Sequence, residues 1–159
     1  MTPDPPTSDP PKTVDVLTRR LGYLFAQLHL RWGAEAASAL NEAGLGEFGG
    51  MHFGALSVID AVGPISQQEL GEYVKKDRTT IVALVDDLES AGLVERRRNP
   101  SDRRAYALQL TEEGHDWLAA AGPALAGAED RLLRDLDEDE RANLVETLQR
   151  VLISAGPSA

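Results

Sequence analysis

The chain has 159 residues, 42% of them hydrophobic and 26% charged, the balance of one globular domain. No apolar run approaches the roughly 20 residues a membrane span needs, the N-terminus lacks the basic and greasy segments of a signal peptide, and cysteine is absent. Disulfides, thiolate metal sites and thiol redox sensing are thereby excluded, and a soluble cytoplasmic protein is expected.

The net charge of -10 argues against a nucleic-acid partner until it is divided along the chain. Residues 1–65 carry -3, residues 66–111 are neutral and residues 112–159 carry -7. Within the neutral third, Val94–Arg104 sets five arginines against Glu95 and Asp102, a local +3. Binding to a polyanion depends on where positive charge sits rather than on its total. Only the middle third admits it.

Residues 1–12 hold five prolines and nothing to bury, and read as a disordered arm. From Val14, the apolar residues Leu17, Leu21, Leu24, Phe25, Leu28 and Trp32 recur at spacings of three and four, which predicts a long helix ending near Ala43-Gly44. A loop over Gly44–Gly50 leads to a second helix, about Met51–Val62, with Phe53, Leu56 and Ile59 on one face and Gly63-Pro64 as its stop. Ser66 and Glu69 form a capping-box pattern for a short helix, Gln67–Val74. A turn through Lys75-Lys76 follows, and Asp77 can cap a helix over Arg78–Ala91 with one apolar stripe, Ile81, Leu84, Val85 and Leu88.

Gly92 ends that helix, and two short segments, Leu93–Arg98 and Arg103–Leu110, flank an Asn-Pro-Ser-Asp turn. They predict a hairpin in which Tyr106, Leu108 and Leu110 pack while Ala105, Ala107 and Gln109 face water. Thr111 caps a further helix, which Gly122-Pro123 should kink or break. Asp137 with Glu140 caps a last one, carrying Leu144, Val145, Leu148, Val151 and Leu152 on one side. The stripes of the first and last helices are widely separated in the chain and need a partner to cover both, so they are read as a dimer seam.

The middle third therefore runs helix, tight turn, helix, hairpin. Opposite the stripe of the second helix lie Thr79, Ala83, Asp86 and Ser90, with Thr80 and Val82 flanking and Arg78 at the edge. Its acids, Asp86, Asp87 and Glu89, all fall in the second half. Phosphates are repelled there and attracted to the positive N-terminal end, so this helix would enter a major groove N-terminus first. Arg96, Arg97, Arg98, Arg103 and Arg104 on the hairpin would lie against backbone or minor groove; taken alone, the three-arginine strand reads first as a solvated face, and the order of helix, hairpin, turn and charge reverses that preference.

Here the sequence resembles a known family. Leu93-Val94-Glu95-Arg96, then Asn99-Pro100-Ser101-Asp102-Arg103-Arg104, then Leu108-Gln109-Leu110-Thr111-Glu112-Glu113-Gly114 are similar to the winged helix-turn-helix signature of MarR-type transcriptional regulators. The resemblance implies a mainly α fold with a small β-hairpin, a winged helix-turn-helix lobe over residues 51–114, and dimerisation helices over 13–50 and 115–155. It implies a homodimer on a pseudo-palindromic operator in double-stranded DNA, acting most often as a repressor. Arg78, Thr79 and Thr80 would approach base edges, joined by Val82 and Ala83, where relatives often carry threonine and arginine; Val82 could pack on a thymine methyl. Ser66, Gln67 and Gln68, with Lys75 and Lys76 in the turn, would meet the DNA backbone. Asp102 would hold the wing by pairing with a neighbouring arginine, and Arg103 or Arg104 would reach the minor groove.

The resemblance further implies a small aromatic or anionic effector between the dimer helices and the DNA-binding lobe, for which His29, Trp32, His52 and Phe53 are the candidates. No cofactor or metal site is expected, since His29, His52 and His115 lack the helical spacing with a carboxylate that zinc sites use. No enzyme is expected either, for want of a nucleophile–base motif or a glycine-rich phosphate loop. The alternative from a different class is a winged-helix module that binds another protein and no operator, the acidic last third suiting a basic partner.

Overall fold

Residues 17–46, 48–98 and 106–154 are described by the computed structural model. They form, in order, α1 (Leu21–Glu42), α2 (Gly50–Val62), α3 (Gln67–Val74), α4 (Arg78–Ser90), β1 (Val94–Arg98), β2 (Tyr106–Leu110), α5 (Glu112–Leu132) and α6 (Glu138–Ser154). The architecture is mainly α with one small hairpin, as the sequence predicts. The expected disordered arm at 1–12 and the Asn-Pro-Ser-Asp turn lie outside the described residues.

The apolar stripe expected on one unbroken helix is interrupted at Arg20. Leu17 is helical, but Arg20 is extended (φ -99°, ψ 117°) with its N–H closing a turn onto the Leu17 carbonyl, and α1 starts after this break, at Leu21. That stripe is not core. Leu21, Leu24, Phe25 and Leu28 are exposed, and the buried residues of α1 are Ala36, Ala39 and Leu40 near its C-terminal end. There α1 packs on α5, and one continuous apolar cluster runs from Ala36 and Leu40 through α2 and α4 to Leu108 and Trp117.

The α3–turn–α4 segment follows its local signals closely. The Ser66 hydroxyl accepts from the Glu69 amide at 3.2 Å while the Glu69 carboxylate accepts from the Ser66 amide at 2.8 Å, a reciprocal capping box. Lys75 ends α3 in the left-handed region (φ 54°), and its neighbour Lys76 donates its N–H to the Gly71 carbonyl. A β-carbon at Gly71 would stand 3.3 Å from the Lys76 carbonyl oxygen, so glycine lets this turn close. Asp77 then caps α4 by accepting from the Thr80 amide at 3.0 Å. All of Ile81, Leu84, Val85 and Leu88 are buried, and Gly92 (φ 74°) supplies the stop.

The hairpin pairs Val94 with Leu110, Arg96 with Leu108 and Arg98 with Tyr106. Ile65 bridges the outer edge of β2 through two backbone hydrogen bonds with Leu108. The expected alternation holds only in part: Leu108 and Leu110 are buried, but Ala107 is buried too and Tyr106 is 57% exposed. Position along the strand overrides face here, because the end of β2 nearest Leu110 is held by the Ile65 bridge and the core while Tyr106 stands at the outer end.

Thr111 caps α5 by accepting from the Gly114 amide at 3.0 Å and donates its own hydroxyl to the Gly92 carbonyl at 2.6 Å. The expected kink or break at Pro123 is corrected by the structure, where α5 runs unbroken from Glu112 to Leu132. Trp117 and Ala121 before the proline, and Leu125 and Ala128 after it, are all buried, so packing holds both halves in line. Gly122 contributes by offering the proline ring no β-carbon to strike. The Asp137–Glu140 capping box starts α6 as predicted, but α6 has no buried residue. Among the described residues no helix is long and apolar enough to cross a membrane.

Candidate nucleic-acid interface

The N-terminal end of α4 is open to solvent. Arg78, Thr79, Val82 and Ala83 form an exposed face, and Arg78 makes no ion pair among the described residues. A cleft of about 530 Å³ runs between α3 and α4, walled by Gln67, Gln68 and Glu72 on one side and Lys76, Arg78 and Val82 on the other. Lys75 and Lys76 are exposed in the turn at its end. First-turn N–H groups and these cations together give the face a positive edge.

Two of the proposed contact groups are already engaged within the chain. The Thr80 hydroxyl donates to the Asp77 carboxylate at 2.7 Å, and the Ser66 hydroxyl donates to Glu69 at 2.8 Å. Their hydrogens serve the helix caps, which leaves Arg78 and Thr79 as the freer groups on the α4 side. On the α3 side, Gln68 donates to Glu72 at 3.2 Å, whereas the Gln67 side-chain nitrogen is buried without an acceptor among the described residues.

The hairpin arginines divide. Arg96 is bound to Glu89 at 2.5 Å and to Asp86 at 2.6 Å, both on α4. Arg97 pairs with Glu95 of its own strand at 2.7 Å. Arg98 is exposed with no ion pair among the described residues. Asp102, Arg103 and Arg104 lie outside the described residues.

The four candidate effector residues are not equivalent. Trp32, Phe53 and His52 are half-buried against the core, while His29 is exposed on α1. His52 stacks at a tilt on Phe48 with ring centres 4.8 Å apart, and Phe48 meets Trp117 edge-on at 5.7 Å. Trp117 donates its indole N–H to the Leu45 carbonyl at 3.0 Å. Phe48 and Trp117 were missed by sequence reasoning; the signals available were an apolar residue just before a helix start and an aromatic on the buried stripe of α5. The remaining histidine, His115, pairs on the surface with Asp60 at 3.2 Å.

His52 also reaches the α4 helix. Its Nδ1 accepts from the Gly49 amide at 3.2 Å, which leaves the proton on Nε2, 3.9 Å from the Asp87 carboxylate. Burial holds the imidazole below the ordinary histidine range, and Asp87 only partly opposes that. A folded-state value below the unfolded 6.5 means that the unfolded chain takes up the proton more readily. The contribution is full above the unfolded value and is lost as pH falls through the folded one. Thermal melts between about pH 7 and about pH 5 are expected to show falling stability that His52→Gln flattens. The cap carboxylates of Glu69 and Asp77, held low by their hydrogen bonds to Ser66 and Thr80, add a separate loss at more acid pH.

A tight helix–turn–helix with an exposed second helix, followed by an arginine-bearing hairpin, defines a winged helix-turn-helix protein. The MarR family model matches residues 48–105. A putative transcriptional regulatory protein for the hcr operon of Thauera aromatica is 34% identical over 99 residues, 62% of this chain and 60% of the relative. The regulator MhqR of Bacillus subtilis is 31% identical over 103 residues, 65% of this chain and 71% of the relative. Among solved structures, the transcriptional repressor CouR bound to a 23-mer DNA duplex superposes with a TM-score of 0.80 at 31% identity, covering 91% of this chain and 99% of that one. CouR has also been solved with p-coumaroyl-CoA. The matches to the first curated relatives span only half to three fifths of those proteins' length. The chain belongs to the MarR family of winged-helix transcriptional regulators.

Proposed function

We propose that the chain is a homodimeric repressor that binds a pseudo-palindromic operator by inserting the N-terminal end of α4 into successive major grooves. The observation that carries this reading is the asymmetry of α4. Arg78 and Thr79 are exposed at its positive end, while Asp86, Asp87 and Glu89 are confined to the half that would stand away from phosphate. In this reading residues 51–114 form the DNA-binding lobe. Gln67, Gln68, Lys75 and Lys76 meet the backbone, and Arg98 with the hairpin tip lies along the flanking groove.

The dimer follows from uncovered apolar surface. Leu21, Leu24, Phe25 and Leu28 on α1, and Val145, Leu148, Val151 and Leu152 on α6, are exposed at helical spacing. Stripes of this kind mark an interface, and a second copy covers both with the same surface by two-fold symmetry. A small aromatic or anionic ligand beside Trp32, His52 and Phe53 would act by favouring one separation of the two α4 helices. Half-sites stand about 34 Å apart, so a few ångströms of spreading costs several contacts. The His52–Asp87 approach ties this cluster to α4.

The test is selection of bound fragments from the organism's upstream DNA, followed by titration of the selected site at several salt concentrations. A symmetric site, a dimer by sedimentation, and affinity falling with a log–log slope of about -0.9 per phosphate contacted are expected. Binding indifferent to salt, or a monomer that binds as well as the dimer, overturns the reading.

A further inference from the structure

We infer that Arg96 is a positioning residue and not a DNA contact: its guanidinium clasps the hairpin to the second half of α4 and thereby sets where the hairpin stands relative to Arg78. This rests on the DNA-binding reading above for its consequence, but not for its geometry. The core-facing side of the hairpin carries Val94, Arg96 and Arg98 opposite Leu110, Leu108 and Tyr106. Burial decays outward along it, from Val94 and Leu110, which are buried, to Arg98 and Tyr106, which are exposed. Arg96 stands at the point where the hairpin leaves the body of the protein.

There its Nη1 donates to Glu89 at 2.5 Å and its Nη2 to Asp86 at 2.6 Å. Asp86 and Glu89 are three residues apart and share one face of α4. A planar fork that engages a separate carboxylate with each nitrogen is fixed in rotation as well as in distance, which a lysine ammonium cannot match. Neither neighbour duplicates it, since Arg97 pairs within β1 and Arg98 has no ion pair among the described residues. The clasp also offsets one of the two negative charges that Asp86 and Glu89 place on α4.

Two measurements separate this role from a simple phosphate contact. The chain has no cysteine, so a nitroxide on Tyr106→Cys reports hairpin motion in the DNA-free protein without interference. Adding Arg96→Gln is expected to raise label mobility, with Arg96→Lys intermediate and helix content unchanged; an unaltered spectrum in Arg96→Gln overturns the clasp. The second measurement uses Asp86→Asn with Glu89→Gln, which removes both carboxylates that hold Arg96. If Arg96 serves as a phosphate contact, freeing it tightens operator binding. If it positions the hairpin, affinity falls by about tenfold, the size of one coupled contact, and hydroxyl-radical protection is lost in the flanks while the central major-groove footprint remains. Tighter binding overturns the proposal. A parent protein that binds no DNA refutes the repressor reading instead, and the label spectrum still decides the clasp.

Discussion

Gly114→Ala is expected to destabilise the protein by about 3 kcal/mol or more, the upper range for overpacking a tight site. Intrinsic propensity points the other way, since alanine in a helix is favoured over glycine by about 1 kcal/mol. The contact decides the sign. A β-carbon at Gly114 would lie 2.1 Å from the Leu93 carbonyl oxygen and 3.1 Å from its carbon, both backbone atoms. That carbonyl cannot retreat cheaply, because it accepts from the Thr111 amide at 3.1 Å while Gly92 beside it accepts from the Thr111 hydroxyl. Relief requires separating the first turn of α5 from the root of the hairpin. Urea denaturation checks the loss. Gly127→Ala is the control: its β-carbon would meet only the end of the Arg131 side chain, at 3.8 Å, and a gain of about 0.5–1 kcal/mol is expected. A Gly114→Ala protein as stable as the parent shows that α5 can shift from Leu93 without cost.

Arg78→Ala is expected to lower operator affinity by about 1–3 kcal/mol for each subunit's lost contact, and to relax discrimination at the base pair it reads. The expectation rests on position. Arg78 is the first residue of α4, exposed beside the α3–α4 cleft and unpaired among the described residues, so no internal partner competes for its guanidinium. Arg96 is the contrasting case, bound to two carboxylates. Anisotropy titration of Arg78→Ala and Arg78→Lys against the selected site and a scrambled duplex measures both effects. If Arg78 touches phosphate alone, both duplexes weaken equally and lysine restores most of the affinity. If it reads a base through its fork, the selected site weakens more and lysine restores little.

What the sequence by itself determined is everything written in short-range hydrogen bonding. The caps at Ser66, Asp77, Thr111 and Asp137 each lie three residues from the amide they satisfy, so their chemistry is visible in a four-residue window. The buried stripe of α4 and the glycine stop at Gly92 are equally local, and the signature around Leu93–Gly114 placed the hairpin after them. Tertiary structure decided whatever depends on residues distant in the chain. The Trp117 indole is bonded to a carbonyl 72 positions away, which assembles Phe48, His52 and Trp117 at one place. The run of α5 through Pro123 comes from packing on both sides of the proline that outweighs one missing backbone donor. The α1 stripe was legible as apolar, but only the fold shows that the protein's own core does not cover it. Net charge hid the same lesson: five arginines by sequence, of which Arg96 and Arg97 are neutralised once α4 and β1 bring carboxylates within reach. A side chain's charge is fixed by its chemistry, whereas the partner that claims it is chosen by the fold.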